Sequence, residues 1–149
     1  MLSSHNHFDR LKTCVVGRSY SPEFYKWIRN PKLRSLFERI AIETEEDYQA
    51  LVKLLESFDV EVIRPIIPDT LEFDIKGCKR IPGPYSMTPR DEFSMIGNIL
   101  YVYDTSAHIN KASGRLQQVD DGYYFANKYF YDNVIEFVKR TNRVVTPDT

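Results

Sequence analysis

Residues 87–102 read Met87-Thr88-Pro89-Arg90-Asp91-Glu92-Phe93-Ser94-Met95-Ile96-Gly97-Asn98-Ile99-Leu100-Tyr101-Val102. Pro89 lacks a backbone donor and fixes its own φ, so Arg90 and Asp91 leave a stiff turn that presents one held carboxylate. Two apolar runs follow, Phe93 to Ile96 and Ile99 to Val102, separated by Gly97-Asn98. Both turn residues tolerate positive φ, which makes the pair a two-residue hairpin signal. The stretch therefore reads as a loop carrying Asp91, a strand, a tight turn and a second strand.

On the N-terminal side, residues 66–86 hold Pro68, Gly77, Pro82, Gly83 and Pro84 and read as a long excursion leading into the turn. Long loops inside compact domains are commonly functional or disordered, and the position just ahead of Asp91 favours function. Val60 to Ile63 reads as a strand ended by Pro65 and Pro68. Before it, Thr44 is expected to cap a helix whose first turn holds Glu45, Glu46 and Asp47. Its apolar stripe is Tyr48, Leu51, Val52, Leu55 and Phe58. Helix and strand joined by so short a link imply a β-α-β unit. A separate helical piece from Lys32 carries Leu33, Leu36, Phe37 and Ile40, with Asn30-Pro31 interrupting it from a short helix that starts at Ser21-Pro22. Lys12 to Gly17 is a strand whose Cys14, Val15 and Val16 run without alternation, as in a strand covered on both faces, which places Cys14 in the core.

On the C-terminal side, residues 104–122 are polar and read as a surface loop. Tyr123 to Arg140 is expected to be an amphipathic helix with Phe125, Tyr129, Phe130, Val134, Ile135, Phe137 and Val138 on its apolar face, and Arg143 to Thr146 a further strand.

The 149 residues suffice for a single α/β domain with a real core. With 20 basic and 21 acidic residues there is no charge excess to draw nucleic acid or an anionic membrane. No apolar run approaches the roughly 20 residues of a membrane span, and the polar N-terminus places the chain in the cytosol. Cys14 and Cys78 form neither a disulfide framework nor a metal spacing.

Met87 to Asp91 with the following apolar run and Gly97-Asn98 resembles the first substrate-binding motif of the glycine amidinotransferase family, within the guanidine-modifying (pentein) superfamily. Ser4-His5-Asn6-His7-Phe8-Asp9 to Gly17 resembles the opening segment and first strand of that family. Thr44 to Asp47 with Leu51, Leu54 and Leu55, then Val60 to Pro65, resembles its first long helix and second strand. The resemblance spans most of residues 4–103 and thins beyond. It implies an α/β fold that is a partial propeller, about the first two β-β-α-β modules of a five-bladed ring, and an N-terminal portion of an amidinotransferase-like domain. A closed ring hides its strand edges, so a two-module piece is expected to expose apolar helix faces and edges. The expected partners are therefore a second copy or a complementary C-terminal chain, besides an arginine-like guanidino substrate.

A guanidinium is planar, cationic and rich in donors, and a carboxylate in its plane binds it through two parallel charge-assisted hydrogen bonds. The resemblance assigns that carboxylate to Asp91; the competing reading is a turn aspartate capping backbone amides. Arg90 reads equally as a substrate contact or as a loop anchor in a salt bridge. In the family a later histidine and a cysteine near the C-terminus carry the covalent chemistry, and neither has a counterpart here. His108-Ile109-Asn110 lies 17 positions after Asp91 in a polar loop, with Asn where the family has Asp, and reads as a loop histidine. His5 and His7 form an H-x-H pair too sparse for a metal site. Cys78, beside Lys76, Lys79 and Arg80, reads as an incidental loop thiol whose cationic neighbours would lower its pKa. No metal or organic cofactor is implied. The alternative to a split or partial enzyme is a non-catalytic binding or interaction protein built on the same fold.

Overall fold

The computed structural model describes residues 1–67, 73–75, 78–82, 87–103, 118–119, 123–126 and 131–146, with backbone alone for the strands between 73 and 82 and between 118 and 126. Two strand-helix-strand units organise these residues. In the first, β1 (Thr13–Val15) pairs in parallel with β2 (Glu61–Ile63), with Cys14 opposite Val62, and α1 (Pro31–Ser57) crosses between them. In the second, β5 (Phe93–Ile96) and β6 (Ile99–Val102) form an antiparallel hairpin with Met95 opposite Leu100. There α3 (Asp132–Lys139) leads to β9 (Arg143–Val145), which lies parallel to β6. That second unit is a complete β-β-α-β module. A third sheet, in the order β3-β4-β8-β7, joins β3 (Phe73–Ile75) and β4 (Cys78–Pro82) to β7 (Gln118–Val119) and β8 (Tyr123–Ala126). The fold is mixed α/β with small sheets, and none of them closes on itself among the described residues.

Several sequence expectations are corrected. α1 is one helix of 27 residues, about 40 Å long, and Thr44 lies inside it. Asn30-Pro31 starts this helix: the Asn30 side chain accepts from the amides of Lys32 (3.0 Å) and Leu33 (3.2 Å), and Pro31 takes the first turn, where no amide partner is needed. The helix stops at Asp59, held at φ +60°, with the Val60 amide bonded back to the Leu55 carbonyl at 3.2 Å. The segment from Pro22 to Trp27 is a 3-10 helix, and the Ser21 side chain makes no capping bond. Tyr123 to Arg140 divides into strand β8 and the short helix α3, because β8 pairs with β4 (Ile81 opposite Phe125) and aromatic residues suit a strand. Residues 66–86 contain two strands where a loop was expected. In the hairpin turn only Gly97 carries positive φ, at +61°, as in a type II′ turn. Cys14 is half-buried rather than enclosed.

Two apolar centres result. Tyr20, Tyr25, Ile28 and Ala41 form one, with Tyr25 stacked on Phe37 at 5.3 Å between centroids; burial pushes the Tyr25 hydroxyl pKa up to about 12. Leu100, Tyr131, Val134 and Val138 are buried in the second module, where the Phe93 ring meets Tyr131 edge-on at 5.3 Å. The N-terminal segment closes over this module. Ser4 and Gly97 exchange backbone hydrogen bonds at 2.7 and 2.9 Å, and Asn142 bonds both the amide and the carbonyl of Leu2.

Candidate functional site

In parallel units, functional groups collect outside the carboxyl ends of the strands. The chain leaving β1 and the chain leaving β2 meet there around Arg64. This guanidinium, whose side chain is only 10% exposed, takes both oxygens of Glu45 on α1 at 2.7 and 3.1 Å and donates twice to the Gly17 carbonyl at 2.7 and 3.2 Å. Its five donors in a planar fork suit this double engagement, which a lysine could not reproduce. Glu45 also accepts from the Ser19 amide (3.2 Å) and from Gln49 (2.8 Å). Burial pushes the Glu45 carboxyl up, but the hydrogen bonds from Arg64, Gln49 and Ser19 and the Arg64 charge outweigh it, leaving it below its ordinary range. Beside them, Arg18 donates to the Pro65 carbonyl at 2.9 Å; burial first and then the Arg64 charge lower its pKa.

This cluster holds the turn that carries Asp91. Tyr48, whose ring lies 5.8 Å from the Arg64 guanidinium carbon, donates its hydroxyl to the Met87 carbonyl at 2.8 Å. Gly17 packs so closely on Met87 that a Cβ there would stand 2.6 Å from the Met87 oxygen and 2.8 Å from its Cα. The one-turn helix α2 (Pro89–Glu92) follows, with the Asp91 amide bonded to the Thr88 carbonyl at 3.0 Å. Asp91 and Arg90 are exposed and Glu92 is buried. Burial, then the charges of Glu92, Tyr48 and Asp91, push the hydroxyl of buried Tyr131 far above its ordinary range, so it stays a neutral hydroxyl near these carboxylates.

Arg90 and Asp91 are adjacent but face different surroundings. Arg90 lines a cleft of about 760 Å³ with Asp9, Cys14, Phe93 and Leu100, whereas Asp91 is absent from that lining. Burial raises the Cys14 thiol, which keeps it protonated and unsuited to nucleophilic attack. His5 and His7 are exposed, and no group of metal-ligating side chains occurs among the described residues. His108, Asn110 and the Cys78 side chain lie outside the described structure. No helix among the described residues is long and apolar enough to cross a membrane.

Sequence reasoning gave Glu45 and Tyr48 only a place on a helix and did not single out Arg64, Glu92 or Tyr131. The one available signal was an arginine directly after an apolar strand, where a charge so placed needs partners.

No protein-family model matches the sequence, and no curated protein does. Solved structures do match. The inosamine-phosphate amidinotransferase StrB1 from Streptomyces griseus superposes with a TM-score of 0.57 at 16% identity, over 98% of this chain and 42% of its own. SxtG, an amidinotransferase from Microseira wollei in the saxitoxin biosynthetic pathway, gives the same score and identity over 97% of this chain and 41% of its own. The chain spans less than half the length of these enzymes, and across nearly all of its residues it has an amidinotransferase-like fold.

Proposed function

We propose that these residues form the guanidinium-binding part of an amidinotransferase-like enzyme, about two modules of a propeller at the N-terminal side of the domain. The observation that carries the proposal is the Met87–Asp91 turn. Its backbone is held by Tyr48 and Gly17 and ends in an exposed carboxylate. A carboxylate that does not wander binds a planar guanidinium at low entropic cost. Asp91 takes the guanidinium of an arginine-like substrate; Arg90 lines the neighbouring cleft, from which Asp91 is absent, and is the lesser candidate for substrate contact. The histidine and cysteine that transfer the amidino group come from polypeptide outside these residues, on a complementary chain or a longer one, and self-association is the other way to cover the open module faces. The acceptor is an amine in an amidinotransferase and water in a deiminase.

Arginine titrated into the chain, followed by NMR shifts at the Asp91 amide and by calorimetry, tests this. Asp91→Asn is expected to weaken binding at least ~10-fold, the loss of a charge-assisted pair, while leaving the thermal midpoint within about 2 °C. Equal affinity in the two proteins would sink the proposal. Tight binding by the chain alone, with no gain on adding a completing polypeptide, would favour the binding-protein reading.

A further inference from the structure

The two units share one topology up to a point. In each, a strand leads through a helix to a parallel neighbour: β6 through α3 to β9, and β1 through α1 to β2. In the second unit the far edge of β6 carries the antiparallel strand β5. In the first unit the corresponding edge of β1 carries no strand among the described residues.

Among the described residues the backbone at that edge has no partner strand. In a parallel ladder alternate residues direct both peptide groups to the same neighbour. The Lys12 carbonyl accepts from Glu61 at 2.8 Å and the Val16 amide donates to Ile63 at 3.0 Å, so residues 12, 14 and 16 serve β2. Thr13 and Val15 therefore point their amides and carbonyls the other way. Among the described residues the Val15 carbonyl meets only the Cys14 thiol, at 3.8 Å. All three β1 residues are half-buried and line the 760 Å³ cleft, so open space runs beside the strand.

We propose that the outer edge of β1 is a docking site for one antiparallel, mainly apolar strand, the counterpart of β5, supplied by the polypeptide that completes the fold. The described residues before β1 are engaged elsewhere: Leu2 and Ser4 are bonded to Asn142 and Gly97, and the amides of Phe8 and Asp9 to the Asn6 side chain in a local turn. The matched enzymes are more than twice as long as this chain, so their fold contains ample further polypeptide. Such a strand would make four backbone bonds, two each with Thr13 and Val15, which is strand addition at a sheet edge. The inference rests on the fold and not on Asp91, so failure of arginine binding leaves it standing.

Amide hydrogen exchange of the purified chain tests it, with a synthetic peptide of residues 92–97, which contains β5, as the stand-in strand. In the dilute free chain Thr13 and Val15 are expected to exchange at least ~10-fold faster than Val16, and millimolar peptide to slow both about tenfold. Val15→Pro deletes an outward amide without touching a β1–β2 bond and is expected to abolish the peptide effect while Val16 stays protected. Thr13→Pro repeats the test at the other outward position should the first variant not fold. Three results would overturn the proposal: Thr13 and Val15 already as slow as Val16 in the dilute chain, no response to the peptide, or protection that rises with chain concentration alone and marks a second copy on the edge.

Discussion

Gly17 and Glu45 show how much rests on single atoms around the Asp91 turn. With the Met87 backbone 2.6 Å from where a Cβ would stand, neither partner is a flexible side chain that could yield. Gly17→Ala is expected to lower stability by about 2 kcal/mol or more, read as a drop in the urea midpoint, because overpacking against backbone forces a shift. Glu45 makes a pH prediction. Its carboxyl lies below its ordinary range, so its contribution is fully present above about pH 4.3, the unfolded value, and fades as pH falls through the lower folded value. Glu45→Gln is expected to cost about 2 kcal/mol at pH 7, and urea titrations at pH 3 are expected to show a smaller gap between the two proteins. None of these partnerships was legible in the sequence. Arg64 lies 19 residues from Glu45 and 47 from Gly17, and no local pattern links them. Asp91 was singled out only through its resemblance to a known motif, with Pro89 supplying the local stiffness.

At the level of elements, legibility followed how local the cause is. Gly97-Asn98 marked the β5–β6 hairpin because the turn is decided by its own two residues. α1 was read as two pieces, one from Lys32 and one from Thr44, because two caps compete. Thr44 with three following acids looks like a helix cap, yet by the observed bonds Asn30 caps the helix fourteen residues earlier, and it simply continues through Thr44. Asn30→Ala is expected to cost about 1 kcal/mol, measured by thermal denaturation, whereas Thr44→Ala should cost less than half of that. The Tyr123–Ala126 strand was hidden for a different reason. Its partner β4 lies some forty residues upstream, and aromatic runs suit a helix face as well as a strand.

At the scale of the whole molecule, among the described residues Asn133 supplies two of the polar bonds that join the two units. From α3 it donates to the Arg64 carbonyl at 2.9 Å and accepts from the Ile66 amide at 3.3 Å. Asn133→Ala is expected to cost about 2 kcal/mol, since two backbone groups lose their partner, and to speed amide exchange at Ile66. A second tie reaches further still. Leu2 and Asn142, 140 positions apart, share a pair of hydrogen bonds, while Ser4 rests against the Gly97 turn. During synthesis Leu2 and Ser4 therefore leave the ribosome long before their partners exist: Ser4 waits for Gly97 and Leu2 for Asn142. A chain that stopped short of both partners would leave this N-terminal segment open to proteases, so its resistance to cleavage reports that the two distant pairings have formed.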